Sequence, residues 1–248
     1  MKQTFFIYLF VLLLLGCDKM AADSAAYNPS SGTGGSMARF TIVGNYLYTV
    51  DKSDLKVFDI TDPSNPVFKQ TVPVGFSIET IYPFADKLFI GSTSMVHIFS
   101  IANPAQPQKL SEAISPTVLR RCDPVVAKQN VAYATLRTNG ACGGTNSILA
   151  VYDITDIKAP VQRNAIPVSE PYGLGYSGNV LYVCDKVSGL LVYDISKPYE
   201  PALLKNVDDG DYIDVIPFGN VLVCWVTNGM LLYDITEPTN PQLLTQIQ

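Results

Sequence analysis

The sequence predicts an all-β fold, a β-propeller of about five four-stranded blades. Two observations predict it. The first is a short sentence written five times. Asp59-Ile60-Thr61-Asp62-Pro63-Ser64-Asn65-Pro66 returns as Ser100-Ile101-Ala102-Asn103-Pro104-Ala105-Gln106-Pro107, and then as Asp153-Ile154-Thr155-Asp156 with Ala159-Pro160. It returns again as Asp194-Ile195-Ser196-Lys197-Pro198-Tyr199-Glu200-Pro201 and as Asp234-Ile235-Thr236-Glu237-Pro238-Thr239-Asn240-Pro241. Counted from the residue that opens each copy, the copies lie 41, 53, 41 and 40 residues apart. A period near 41 residues with one insertion is the mark of a repeat architecture. The second observation is that every repeat splits into four runs of β-branched and aromatic residues, bounded by Gly, Asn and Pro, with no helical periodicity.

The fourth repeat shows the elements in order. Tyr172 to Tyr176 reads as a first strand, Ser177-Gly178-Asn179 as a turn and Val180 to Cys184 as a second strand. A turn at Val187-Ser188-Gly189 leads to a third strand from Leu190 to Ile195, and the Pro198/Pro201 corner leads to a fourth from Ala202 to Val207. The tight turns recur as Gly44-Asn45, Gly178-Asn179 and Gly219-Asn220, with Asp86-Lys87 and Gln129-Asn130 in the equivalent places; such residues tolerate the positive φ a hairpin needs. The proline pair donates nothing to a ladder and so belongs at a corner before an outer strand. Blades are placed near 37–74, 75–112, 117–168, 169–210 and 211–248, which together form a propeller domain over 37–248. Five such units allow a closed ring, which removes exposed sheet edges.

The third strands carry a motif of their own: Leu55-Lys56-Val57-Phe58-Asp59, Val96-His97-Ile98-Phe99-Ser100, Leu149-Ala150-Val151-Tyr152-Asp153, Leu190-Leu191-Val192-Tyr193-Asp194 and Leu231-Leu232-Tyr233-Asp234. With the proline corner and the period, these resemble the LVIVD repeat of propeller-like secreted and envelope lipoproteins of bacteria. The resemblance implies the fold and names no activity. The second copy departs from it, with Ser100 for Asp and His97 inside the strand.

The N-terminus carries a different signal. Lys2, an apolar run from Phe5 to Leu15 and the ending Leu14-Leu15-Gly16-Cys17 make a secretory leader, too short to span a bilayer stably. The ending resembles the lipobox of bacterial lipoproteins, which implies removal of residues 1–16 and diacylation of Cys17. Two chains anchor stably where one does not. Residues 17–36 are then a flexible, small-residue tether. The expected location is the bacterial cell envelope, with the membrane held through lipid at Cys17.

The net charge of −5 excludes the basic face that nucleic acid requires. Cys122 opens the third repeat and Cys142 sits in its insertion of about 12 residues; both lie at the same end of an up-and-down blade, so a disulfide is expected between them. Closing a loop of about 20 residues would contribute about 3 kcal/mol. Cys184 and Cys224 are expected as buried small hydrophobes on opposite faces of their sheets. One histidine, His97, excludes a site of several imidazoles, and no metal or cofactor is expected.

Aligning the repeats on Leu47, Leu88, Ala132, Leu181 and Leu222 places Arg39, Glu79, Asp123, Tyr172 and Asp214 at the start of the first strands, with Arg121 beside them. First strands line the axis of a propeller, so these residues are the candidate ligand or contact set. Two functions follow. One is a non-catalytic binding or protein-interaction platform for an envelope protein or glycan, with contacts around Arg121, Asp123 and residues 137–146. The other is a hydrolase or lyase using Glu79 with Asp123 or Asp214 as an acid–base pair.

Overall fold

The computed structural model describes residues 34–115, 124–138 and 146–248. Twenty strands form five separate four-stranded antiparallel sheets, each a simple meander. Blade 1 holds β1 (Phe40–Val43), β2 (Tyr46–Val50), β3 (Asp54–Asp59) and β4 (Val67–Pro73). Blade 2 holds β5 (Ile78–Phe84), β6 (Lys87–Ser92), β7 (Val96–Ser100) and β8 (Gln108–Ala113). Blade 3 holds β9 (Val125–Lys128), β10 (Val131–Leu136), β11 (Ser147–Asp153) and β12 (Val161–Val168). Blade 4 holds β13 (Pro171–Ser177), β14 (Val180–Asp185), β15 (Gly189–Asp194) and β16 (Ala202–Val207). Blade 5 holds β17 (Tyr212–Phe218), β18 (Val221–Val226), β19 (Gly229–Asp234) and β20 (Gln242–Ile247). The chain is an all-β propeller of five blades.

The repeated sentence has a physical reason at each residue. In four copies the opening Asp ends the third strand and its Oδ1 accepts the amide of the residue two further on, at Thr61, Thr155, Ser196 and Thr236. The hydroxyls of Thr61, Thr155 and Thr236 and then these amides hold the Asp59, Asp153 and Asp234 carboxyls below the usual range, and at Asp194 the Ser196 amide and then its hydroxyl do the same. In the second copy Ser100 Oγ accepts the amide of Ala102 instead. The following Ile buries its side chain or half-buries it, and its amide donates back to the hairpin between strands one and two. That bond, from Ile60, Ile101, Ile154, Ile195 and Ile235 to Asn45, Asp86, Asn130, Asn179 and Asn220, is 2.8 Å in all five blades. It locks each corner to its own hairpin. A register shift between strands three and four falls just before the same aromatic in every blade, at Phe58, Phe99, Tyr152, Tyr193 and Tyr233. Such bulges increase local twist and turn the outer strand away.

One sequence expectation shifts in detail and another is met. In blade 2 the positive φ belongs to Ala85 (φ 52), one residue before the expected Asp86-Lys87, in register with Gly44 (φ 57) and Gly178 (φ 55). Cys184 and Cys224 are free and buried, on opposite faces of their sheets. Because the two sheets are neighbours, those opposite faces converge on one apolar layer, and burial pushes both thiols up. Cys17, Cys122 and Cys142 lie outside the described residues, as does the expected disulfide.

The core is a set of layers between blades. One joins blades 1 and 2 (Tyr48, Leu55, Val57 with Ile81, Leu88, Phe99), and a second joins blades 2 and 3 (Phe89, Ile98 with Val125, Ala132, Tyr152). A third joins blades 3 and 4, and a fourth blades 4 and 5. Three of the four are also stapled by a second-strand tyrosine. Tyr48, Tyr133 and Tyr182 donate to the carbonyls of Pro104, Pro198 and Pro238, the corner proline of the next blade, at 2.8, 2.9 and 2.7 Å. At the second junction the equivalent residue is Phe89, and the next blade has Ile157 in place of that proline.

Candidate functional site

The innermost strands start at one end of the disc, and their first residues surround a cavity of about 210 Å³ on the axis. Its lining is Met37 and Arg39 from blade 1, Glu79 and Thr80 from blade 2, Pro124 and Arg137 from blade 3, and Pro171 and Tyr172 from blade 4. The alignment of repeats therefore brought Arg39, Glu79 and Tyr172 to one place. Arg121 and Asp123 lie outside the described residues.

Arg137 is the dominant feature. It follows β10 directly, and its guanidinium lies 3.9 Å from the centre of the Tyr172 ring. A planar cation over an aromatic face is a favourable arrangement that fixes the orientation of both groups. Its Nε is buried and makes no hydrogen bond among the described residues. Tyr172 is held in turn: its carbonyl accepts Thr135 Oγ1 at 2.5 Å, and its hydroxyl donates to Glu170 at 3.3 Å. Lys186 Nζ lies 6.0 Å from the same ring. Sequence reasoning placed Arg137 in the expected contact surface with Arg121 and Asp123, and did not align it with the inner-strand residues. A signal was present, since Lys52, Arg137 and Lys186 occupy the same position just after strand two of their repeats.

Glu79 is the pocket's carboxylate. Burial raises its pKa, opposed by the charges of Arg137 and then Arg39. Among the described residues of the lining, two arginines stand against one glutamate.

Asp214 does not line the cavity, which corrects the expectation for this residue. It is 8% exposed and faces the chain segment that precedes β1. Ser36 Oγ donates to its Oδ1 at 3.2 Å, Met37 N to its Oδ2 at 3.3 Å, and Val215 N to its Oδ1 at 3.0 Å. Ser36 Oγ also accepts the Leu174 amide at 2.7 Å, so the segment is tied to blades 4 and 5 together. Only glycine fits beside the carboxylate: a Cβ on Gly35 or Gly173 would stand 2.0 Å from an Asp214 oxygen. Burial outweighs the three hydrogen bonds and pushes the carboxyl up to about 6. Asp214 is therefore turned to this segment and is not among the described residues that line the cavity with Glu79. His97 is also away from the cavity, buried with its Nδ1 3.3 Å from Glu112 Oε1, and burial lowers its pKa. No group of three or more metal-ligating side chains occurs among the described residues.

The geometry defines a propeller with an arginine-rich axial pocket. The chain carries LVIVD repeats: the model of that family matches residues 34–74 and 174–209. No curated protein matches in sequence. Among solved structures it is similar to a protein from Lactobacillus plantarum (TM-score 0.67, 16% identity, 82% of this chain and 67% of that one). It is similar also to the periplasmic gluconolactonase PpgL of Pseudomonas aeruginosa (TM-score 0.62, 15% identity, 83% and 67%). A third is the computationally designed Ika8 protein (TM-score 0.60, 14% identity, 84% and 60%). At these identities the likeness is one of fold, and the chain spans 60%, 68% and 67% of the first three structures it matches.

Proposed function

We propose that this protein is an envelope-anchored, non-catalytic binding platform whose axial pocket takes a small carboxylate-bearing, hydroxylated ligand of the acidic-sugar kind. The observation that carries this reading is Arg137. It is fixed on the Tyr172 ring, has an Nε with no hydrogen-bond partner among the described residues, and stands with Arg39 around Glu79, the one carboxylate of the lining among the described residues. A guanidinium fork matches a ligand carboxylate, and Glu79 accepts ligand hydroxyls. The gluconolactonase likeness extends to the fold, and the platform reading needs no acid–base pair. Titrating D-glucuronate into the purified protein by calorimetry should give saturable heat without turnover. Arg137→Ala should weaken binding by at least about tenfold, the loss of one charged hydrogen-bonding pair. Equal affinity of the variant, or no binding by the wild type, would remove the pocket from the proposal; consumption of the free sugar acid, which has no bond for water to cleave, would favour a lyase.

The anchor is part of the same reading. No helix among the described residues is long and apolar enough to cross a membrane. Replacing Cys17 with Ala should move the protein from the membrane pellet to the soluble fraction with its circular dichroism spectrum unchanged. Retention of the variant in salt-washed membranes would overturn the lipid anchor.

A further inference from the structure

The four interblade layers reuse the same positions. On the side of a blade that faces its successor, the positions are those of Val43, Tyr48, Val50, Leu55 and Val57 in blade 1. On the side that faces its predecessor, they are those of Ile81, Leu88 and Phe99 in blade 2. Two half-layers are left over. The successor side of blade 5 presents Phe218, Val223, Trp225, Met230 and Leu232, and the predecessor side of blade 1 presents Phe40, Leu47 and Phe58.

These two sides are exposed where their equivalents are not. Trp225 is 52% exposed and Met230 47%, while Cys184 and Leu190 at the same positions of blade 4 are fully covered. Phe40 is 61% exposed, while its equivalents Ile81, Val125, Leu174 and Val215 are covered. No apolar layer joins blade 5 to blade 1 among the described residues. The staple is missing as well, because Val223 stands where Tyr48, Tyr133 and Tyr182 carry their hydroxyls. Exposed apolar surface of this kind, built in register with buried interfaces, marks a contact site.

We propose that these two faces are halves of one interface, and that blade 5 of one copy packs on blade 1 of a second copy, head to tail, as a fifth interblade layer. Continuity with the four layers already in the chain selects this occupant, since a second copy brings the matching half-layer in the matching register. The contact is heterologous, so it propagates from copy to copy until the arc closes on itself. Without a tyrosine staple the junction is weaker than the three stapled junctions inside the chain.

The chain's one tryptophan, Trp225, lies in the interface and reports on it directly. In sedimentation of the purified full chain between about 1 and about 100 µM, mass should rise with concentration, and Trp225 emission should shift to the blue over the same range. Met230→Glu blocks one face and Phe40→Glu the other. Each variant alone should be monomeric, with self-association weakened at least about 30-fold by a buried unpaired charge. An equimolar mixture of the two should form a dimer through its one intact pair of faces. Phe218→Glu should repeat the Met230→Glu result, and unchanged circular dichroism of each variant establishes that its fold is kept. Several outcomes would overturn the proposal. A Phe40→Glu protein that still associates would mean that blade 5 pairs with blade 5. A wild type that is monomeric with blue emission would mean that the face is covered within its own chain, and one that is monomeric with red emission would mean that the face stays bare.

Discussion

Tyr182→Ala should lower stability by about 3–5 kcal/mol, the range for truncating a large buried aromatic side chain. Tyr182 is fully buried in the layer between blades 4 and 5, and its hydroxyl is the staple to Pro238. Tyr182→Phe, which keeps the packing and leaves the carbonyl without its donor, should cost about 1 kcal/mol. The loss should also be local. Blade 5 packs through an apolar layer on one side, so weakening that layer frees it before the others. In a denaturant titration of Tyr182→Ala, Trp225 fluorescence should change at a lower denaturant concentration than the far-ultraviolet dichroism of the whole chain. Coincident transitions would show that blade 5 unfolds together with the rest.

Asp214→Asn should make the protein more stable by about 1–3 kcal/mol near pH 8 and leave it nearly unchanged near pH 4. The carboxyl titrates at about 6 in the fold, above its ordinary value of 3.8. The folded state therefore holds the proton more tightly than the unfolded chain does. Stability is full below the unfolded value and declines as pH rises toward about 6, where it reaches a plateau at the cost of a buried charge. Asparagine carries no charge and keeps an oxygen for Ser36 and Val215, though its amide cannot accept from Met37 N. Melting temperatures taken from about pH 4 to about pH 8 should thus fall for the wild type and stay flatter for the variant. Parallel curves would mean that Asp214 titrates at an ordinary pKa.

The five sheets were legible because each repeat specifies its own strands and corners through local bonds, such as the Asp-to-amide bond after each third strand. Arg39, Glu79 and Tyr172 were legible at the axis for the same reason, since one alignment applies to every inner strand. Asp214 stands one aligned position after Glu79 and Tyr172, level with Thr80 and Gly173, and it is not among the residues that line the cavity. Its surroundings come from Gly35 and Ser36, which lie outside the repeat and far away in sequence. Arg137 was grouped with the residues of the insertion that follow it as one contact surface, although Lys52 and Lys186 at matching positions mark it as a rim residue. The side of blade 5 that carries Trp225 reads like any interior face, because composition does not reveal whether a neighbour is present.

The way the chain enters the disc has a mechanical consequence. Residues 34–38 bond to Asp214 of β17, to the Leu174 amide of β13 and, through the Ala38 carbonyl, to the Ile81 amide of β5. A pull on the chain ahead of Gly34 is therefore shared among the inner strands of blades 2, 4 and 5 as well as blade 1, and several bonds must shear at once. The same pull applied through the exposed outer strand β20 would act on one rung of its ladder at a time and strip it from the rim.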